Sequence, residues 1–273
     1  MDEDGDMSVL CGTDLFFPEI PEGLRGLFPE GLPVWIALDR LKGFMREIMR
    51  PNLETGFIPG VPLPRHLALV GRDVMTGGFE VVCNDATKGR PEVWIDGKKA
   101  LYSSLICAGA VLMDREIQVG KGVVIEPGAL VKGPAILGDD TEVRHGAYLR
   151  GYCLIGDKCV AGHATEVKHS IFLDGAKAGH FAYVGDSILG RNVNLGAGTK
   201  LANLRFSSGN VCVRIGDAFV DTGRRKIGAV LGDGVQTGCN SVTNPGAFVG
   251  ISSIMAPNTT VRPGLYPPRS VIR

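Results

Sequence analysis

From Val119 to Leu173 every sixth residue is apolar: Val119, Ile125, Val131, Leu137, Val143, Leu149, Ile155, Ala161, Val167 and Leu173. Four positions after each stand Val123, Ala129, Ala135, Thr141, Ala147, Cys153, Cys159, Thr165, Ile171 and Lys177, nearly all small or β-branched. An amphipathic helix would repeat its apolar residues about every 3.6 positions and a half-buried strand about every 2. A strict six fits neither. It predicts hexapeptide units of one short strand and one turn, stacked as a solenoid with one column of side chains inside and a small residue at each corner. Cys107 and Met113 are in frame with Val119, so coiling is expected to begin near residues 101–107. The frame holds to about residue 178, slips by four, and resumes at Leu189, Leu195 and Leu201. It lapses over 204–228 and returns at Leu231, Thr237, Thr243, Val249, Met255 and Val261. Within the lapse, the runs Val211–Ile215 and Ala218–Val220 flank Gly216-Asp217 and predict a hairpin arm leaving the coil. A basic cluster, Arg224-Arg225-Lys226, follows it.

Residues 1–100 do not follow the repeat. Leu32 to Met49 predicts an amphipathic helix with Trp35, Leu38, Leu41, Met45 and Ile48 on one face. The proline-rich stretch from Pro51 to Pro64 is expected to be extended. From Phe79 to Leu105, short apolar runs alternate with Asn84-Asp85, Lys88-Gly89 and Asp96-Gly97, and Asp-Gly between apolar runs signals a hairpin. A solenoid's first coil exposes its core and open strand edges unless covered. The N-terminal region is therefore expected to be a small α+β cap. The chain then divides into a cap over 1–100 and a β-helix over 101–273 with an inserted arm at about 204–228.

Composition narrows the function. The chain has 273 residues, 44% of them hydrophobic, and its 29 basic and 29 acidic side chains balance to zero. That balance speaks against a nucleic-acid surface or a polybasic membrane patch. No apolar run approaches the roughly 18–20 residues of a membrane span. The acidic start, Met1 to Met7, is unlike a signal peptide. The seven cysteines form no Cys-x-x-Cys pair and read as reduced thiols of a cytoplasmic protein.

The densest polar constellation runs from Arg150 to Asn203. Arg150 and Lys168 lie one coil apart, each directly after an inward residue (Leu149 and Val167), so they should stack as a pair of cations suited to a phosphate. Glu166-Val-Lys168 is followed by Lys177-Ala-Gly-His180-Phe-Ala-Tyr183-Val-Gly-Asp186, then by Asn192-Val-Asn194-Leu-Gly-Ala197-Gly-Thr and Asn203. These strings resemble the acetyltransferase domain of bifunctional N-acetylglucosamine-1-phosphate uridyltransferase / glucosamine-1-phosphate N-acetyltransferase enzymes. They also resemble archaeal-type sugar-1-phosphate nucleotidylyltransferases that carry the same β-helix. The likeness covers about residues 110–265.

The resemblance implies a left-handed parallel β-helix, a homotrimer with sites shared between subunits, and acetyl-CoA as acyl donor, with no metal needed for the transfer. It implies that His180 is the general base toward an amino-sugar phosphate, glucosamine 1-phosphate above all. Histidine suits that task because it titrates near neutral pH. Glu166 would orient or charge-tune the imidazole or the amine. By the same resemblance Arg150, Lys168, Tyr183, Asn194 and Lys226 hold the sugar phosphate, and Ala197 and Asn203 face the acetyl-CoA. The arm is the element expected to reach a neighbour. The family's residues are replaced by Leu204, Arg205, Cys239 and Pro257, all on the donor side. A Gly-x-Gly-Thr-Arg loop of the uridyltransferase half is missing from residues 1–110, so no nucleotidyl transfer is expected.

Two other readings compete. His145, His163 and His169 could be zinc ligands of a γ-class carbonic anhydrase, which shares the β-helix. Alternatively, the chain binds a sugar phosphate or assembles without turnover. Within acyl transfer, another nucleotide-sugar acceptor or a longer acyl chain would also fit.

Overall fold

The computed structural model describes residues 11–83, 90–216 and 218–273. The acidic start, the Asn84-Asp85 and Lys88-Gly89 pairs and Asp217 of the arm's turn lie outside the described residues. The molecule is mainly β, a solenoid of parallel coils whose strands form three long sheets, two of 8 strands and one of 11. Val131 pairs with Leu149, Leu137 with Ile155 and Val143 with Ala161, so the early coils repeat every eighteen residues. The hexad residues stack inward, and Val131, Val143, Leu149, Val167 and Leu201 are all fully buried.

The small corner positions lock coil to coil. Thr141 Oγ1 donates to the Gly156 carbonyl at 2.8 Å and accepts from the Cys159 amide at 3.0 Å. Cys153 and Cys159 fill the small-residue position in consecutive hexads, and burial pushes both thiols up to about 12. All seven cysteines are free.

The frame slip has a different origin from the one the periodicity suggests. Ile155 pairs with Phe172, Ala161 with Ala178, and Val167 with Val184, so this coil is one residue short. Phe172 takes the inward position that the six-residue count assigns to Leu173. Likewise Ser170 and Ala176, not Ile171 and Lys177, fill the small corners. The next coil repeats the shortening, pairing Phe172 with Leu189 and Val184 with Leu201. Two single deletions at one corner therefore produce the apparent slip of four. Where an earlier coil turns through Gly151 and Tyr152, the shortened coils turn through His169 and then Asp186, each alone and each left-handed at φ +46°. Non-glycine residues enter that region at a cost of about 1–2 kcal/mol.

The arm is a hairpin, Cys212–Ile215 with Ala218–Asp221, inserted between Leu201 and the strand Ala229–Leu231. It does not simply leave the coil: Val211, Val213 and Ile215 are buried against the molecule's own flank.

The N-terminal region performs two tasks. Leu53, Phe57, Leu63, Leu67 and Leu69 join the solenoid core, and the strand Leu67–Val70 pairs antiparallel with Ser104–Ile106, so this stretch closes the first coil. The helix α1 (Ile36–Ile48) lies elsewhere. On one face of the solenoid the outward residue is apolar coil after coil: Ile136, Leu154, Ile171, Ile188, Val230 and Phe248. Phe16, Phe17, Trp35, Leu38, Leu41 and Met45 cover that stripe, forming a second core outside the solenoid. The helix is four residues shorter at its start than the pattern predicts, because Pro33 and Trp35 precede its first turn, and Ile48 remains exposed. The hairpin predicted at Asp96-Gly97 forms, with both residues at positive φ (+49° and +70°) and Ile95 paired to Lys98. Among the described residues, no helix is long and apolar enough to cross a membrane.

Candidate functional site

Register brings scattered sequence positions into one column. The carbonyl of His145 accepts the amide of Ala164, and that of His163 accepts the amide of Phe181. In the next coils His180 accepts from Gly198, Ala197 from Asn240, and Cys239 from Asn258, whose neighbour is Pro257. His145, His163, His180, Ala197, Cys239 and Pro257 therefore stand one above another at a single corner of the solenoid. A cleft of about 710 Å³ opens beside this column, lined by His180, Asn194, Ala197, Cys239 and Lys177. The His180 side chain is exposed, and its ring has no hydrogen-bond partner among the described residues, so both nitrogens face the cleft's contents or solvent. In the Gly196-Ala197-Gly198 turn the flanking amides are committed, Gly196 to the Thr237 carbonyl and Gly198 to that of His180. The Ala197 amide has no acceptor among the described residues and is the free donor of the turn.

Of the sugar-phosphate residues predicted from sequence, Arg150, Lys168 and Tyr183 sit on the adjoining face, whereas Asn194 lines the cleft itself. Tyr148 pairs with Glu166 and Glu166 with Tyr183, while Lys168 pairs with Gly185. Arg150 and Lys168 line one cavity of about 360 Å³, as their one-coil spacing predicts. Each already has a carboxylate. Arg150 Nη1 is 2.6 Å from Glu166 Oε1, and Lys168 Nζ is 2.9 Å from Asp186 Oδ2. Glu166 therefore meets Arg150 within the chain.

Asp186, which the sequence reading did not single out, is the hub. Its side chain is 6% exposed. Asn203 Nδ2 donates to Oδ2 at 2.5 Å, and the buried His169 holds Nδ1 3.2 Å from Oδ1, at ion-pair distance but without hydrogen-bond alignment. Burial alone would raise the Asp186 carboxyl; the contacts from His169, Lys168 and Asn203 outweigh it and bring the carboxyl down to about 2. Asn203 accepts from the Tyr183 hydroxyl at 3.3 Å, so both ends of its amide are engaged within the protein. Burial, and then the nearby Glu166 and Asp186 charges, push the Tyr183 hydroxyl up. Gly185 is required here, since a Cβ would stand 2.6 Å from both Asn203 Nδ2 and the Tyr183 oxygen.

The arm's base adds Lys226, bridged to Leu204, with the Ile227 amide donating to the Asn203 carbonyl. Arg205 turns back to the Asn210 carbonyl at 2.6 Å. Arg224, also unforeseen, reaches Asp39 of α1 and lies 3.9 Å from Asp186 Oδ1. Two sequence features mark this cluster in hindsight: the frame slip, which conceals the shortened hexads of His169 and Asp186, and the basic run after the arm.

Within a single chain the three histidines do not converge. His145 and His163 stack face to face at 5.5 Å between ring centroids, whereas His169 is at another corner against Asp186. No cluster of metal-ligating side chains occurs among the described residues.

Residues 131–244 match the family model described as the GMPPB C-terminal domain. A bifunctional sugar-1-phosphate nucleotidylyltransferase/acetyltransferase of Sulfurisphaera tokodaii is 42% identical over 89 residues, covering 33% of this chain and 22% of that protein. The bifunctional protein GlmU of Methanococcus maripaludis is 42% identical over 89 residues, 33% of this chain and 21% of its own length. That of Methanocaldococcus jannaschii is 46% identical over 74 residues, 27% and 18%. The chain spans about a fifth of the length of these curated relatives. The hexapeptide β-helix of this chain is thus homologous to that of the GlmU and bifunctional sugar nucleotidylyltransferase/acetyltransferase proteins, and its C-terminal part is like the GMPPB C-terminal domain.

Proposed function

We propose that the chain is an acetyl-CoA-dependent N-acetyltransferase of an amino-sugar phosphate, glucosamine 1-phosphate first, working in the cytoplasm as a homotrimer and without nucleotidyl transfer. The observation that carries this reading is the His180–Ala197–Cys239 column standing beside the Arg150/Lys168 face. The strand Tyr183–Gly185 separates the two by roughly 10 Å at about 3.3 Å per residue, which suits a sugar between an amine and a phosphate.

In this mechanism the phosphate binds at Arg150 and Lys168, with Asn194 and Tyr183 along the sugar. The acceptor enters as its free amine, and His180 takes the proton that the nitrogen sheds as it attacks. The amine nitrogen attacks the thioester carbon, and a C–N bond forms. The Ala197 amide donates to the oxyanion, where a preorganised donor acts most strongly. The intermediate collapses, the C–S bond breaks, and the thiolate leaves with the proton that His180 returns. Glu166 holds Arg150 in place, and Asn203 with Asp186 holds Lys168 and Tyr183. Exposed Leu204, Phe206 and Phe219 around an 840 Å³ apolar groove at the arm support a subunit contact there.

Cys239 and Pro257 in the column, and the committed Asn203 amide, favour a second reading in which the sugar phosphate binds without turnover. Mass spectrometry of glucosamine 1-phosphate incubated with acetyl-CoA and protein separates them. N-acetylated product is expected; bound but unmodified sugar phosphate would replace the first reading by the second.

A further inference from the structure

The cavity that holds Arg150 and Lys168 is walled on its far side by the N-terminal helix, a segment outside the residues that match the family model. Three parts of the chain meet there: Lys42 and Asp39 of α1, Arg150, Lys168, His169 and Asp186 of the coils, and Arg224 after the arm. Three of the four permanent cations are matched by carboxylates: Arg150 by Glu166, Lys168 by Asp186, and Arg224 by Asp39. Lys42 has none among the described residues. Its Nζ rests 4.9 Å from the centroid of the Tyr152 ring. The pocket therefore has one surplus positive charge, carried by a flexible side chain over an aromatic platform. It also has a 7%-exposed histidine whose Nδ1 lacks an aligned partner. One carboxylate ligand would be satisfied by a single arginine fork. A tetrahedral phosphate monoester, with about −1.5 to −2 charge and three acceptor oxygens, can meet cations arriving from three directions at once.

We propose that α1 is part of the substrate site: Lys42, with Arg224, binds the acceptor's phosphate monoester together with Arg150 and Lys168. This rests on the sugar-phosphate reading above for the identity of the phosphate carrier. The N-terminal segment then has two roles, covering the apolar flank through Leu38 and Leu41 and closing the anion site through Lys42 one turn away.

Calorimetric titration of the full chain with glucosamine 1-phosphate, inorganic phosphate and glucosamine tests this. Three proteins are compared: wild type, Lys42→Met, which keeps an unbranched stem over Tyr152, and Lys42→Arg. The methionine variant is expected to bind both phosphates roughly tenfold more weakly, the arginine variant to recover most of that loss, and glucosamine affinity to stay unchanged. Thermal unfolding of the three proteins should agree, since Lys42 is exposed. Wild-type protein that binds neither phosphate, or Lys42→Met that binds them as wild type does, would overturn the proposal. Thiol release from acetyl-CoA is scored separately. Lys42-dependent phosphate binding without release would retire acetyl transfer and keep the site; release with a Lys42-independent KM would do the reverse.

Discussion

Replacing Asp186 by asparagine is the most informative perturbation of the fold around the site. The carboxylate is 6% exposed, contacts Lys168, His169 and Asn203, and titrates at about 2 instead of 3.8. A downward shift in the folded state means stability that is present above pH 3.8 and lost as the pH falls through about 2. At about 1.36 kcal/mol per pKa unit, the shift contributes roughly 2 kcal/mol at neutral pH, with about half of it left near pH 3. Asn preserves the shape and removes the charge, leaving Lys168 and Arg224 without their shared anion; breaking a buried pair costs about 3–5 kcal/mol. Urea unfolding of wild type and Asp186→Asn at pH 7, 5, 4 and 3 measures the difference directly. The gap should be about 2–5 kcal/mol and constant from pH 7 to 5, then narrow by about 1 kcal/mol by pH 3. A gap that stays constant down to pH 3, or Asp186→Asn as stable as wild type at pH 7, would refute the reasoning.

Phe172→Ala should destabilise by about 3–5 kcal/mol in the same urea assay, because the ring fills the inward position of a shortened coil and is 1% exposed; a loss below 1 kcal/mol would reject that placement. Aspartate at both Phe206 and Phe219 should convert a trimer to monomers by light scattering without lowering the unfolding temperature, since both rings are exposed; a monomeric wild type would remove the shared-site geometry.

The inward column was legible because side chains stacked on identical neighbours have one solution, apolar and close in volume, and the resulting period survives in the sequence. The two shortened corners were not legible as such. A single deletion leaves Phe172 beside Leu173 and Ile171 beside Ser170, and a pattern of sixes cannot say which apolar neighbour turns inward. The flank was hidden for a related reason. Ile136, Leu154, Ile171, Ile188, Val230 and Phe248 recur once per coil, not once per hexad, and so fall between the periods that the eye follows. That stripe is what calls α1 to the side of the solenoid instead of its end. At the site, the vertical alignment of Ala197, Cys239 and Pro257 follows from hexad phase once the arm is removed, whereas His180 joins the column only through the shortened corner at Asp186. The Asp186 hub does not follow from phase, because its partners Lys168 and Asn203 come from the coils before and after it and Arg224 from a loop, and only packing brings them together. Likewise the pairing of Glu166 with Arg150 depends on which side chains share a face, which the one-coil register sets and the linear motif does not display.

The central claim is that the corner column and the Arg150/Lys168 face form one acetyl-transfer site with His180 as its base. Release of CoA thiol from acetyl-CoA in the presence of glucosamine 1-phosphate, compared between the wild-type chain and His180→Ala, tests it most directly. The account predicts release by the wild type and a loss of roughly 100-fold or more in the variant, with the oligomer unchanged. Equal release by both proteins, or none by a wild type that binds the sugar phosphate, would contradict it.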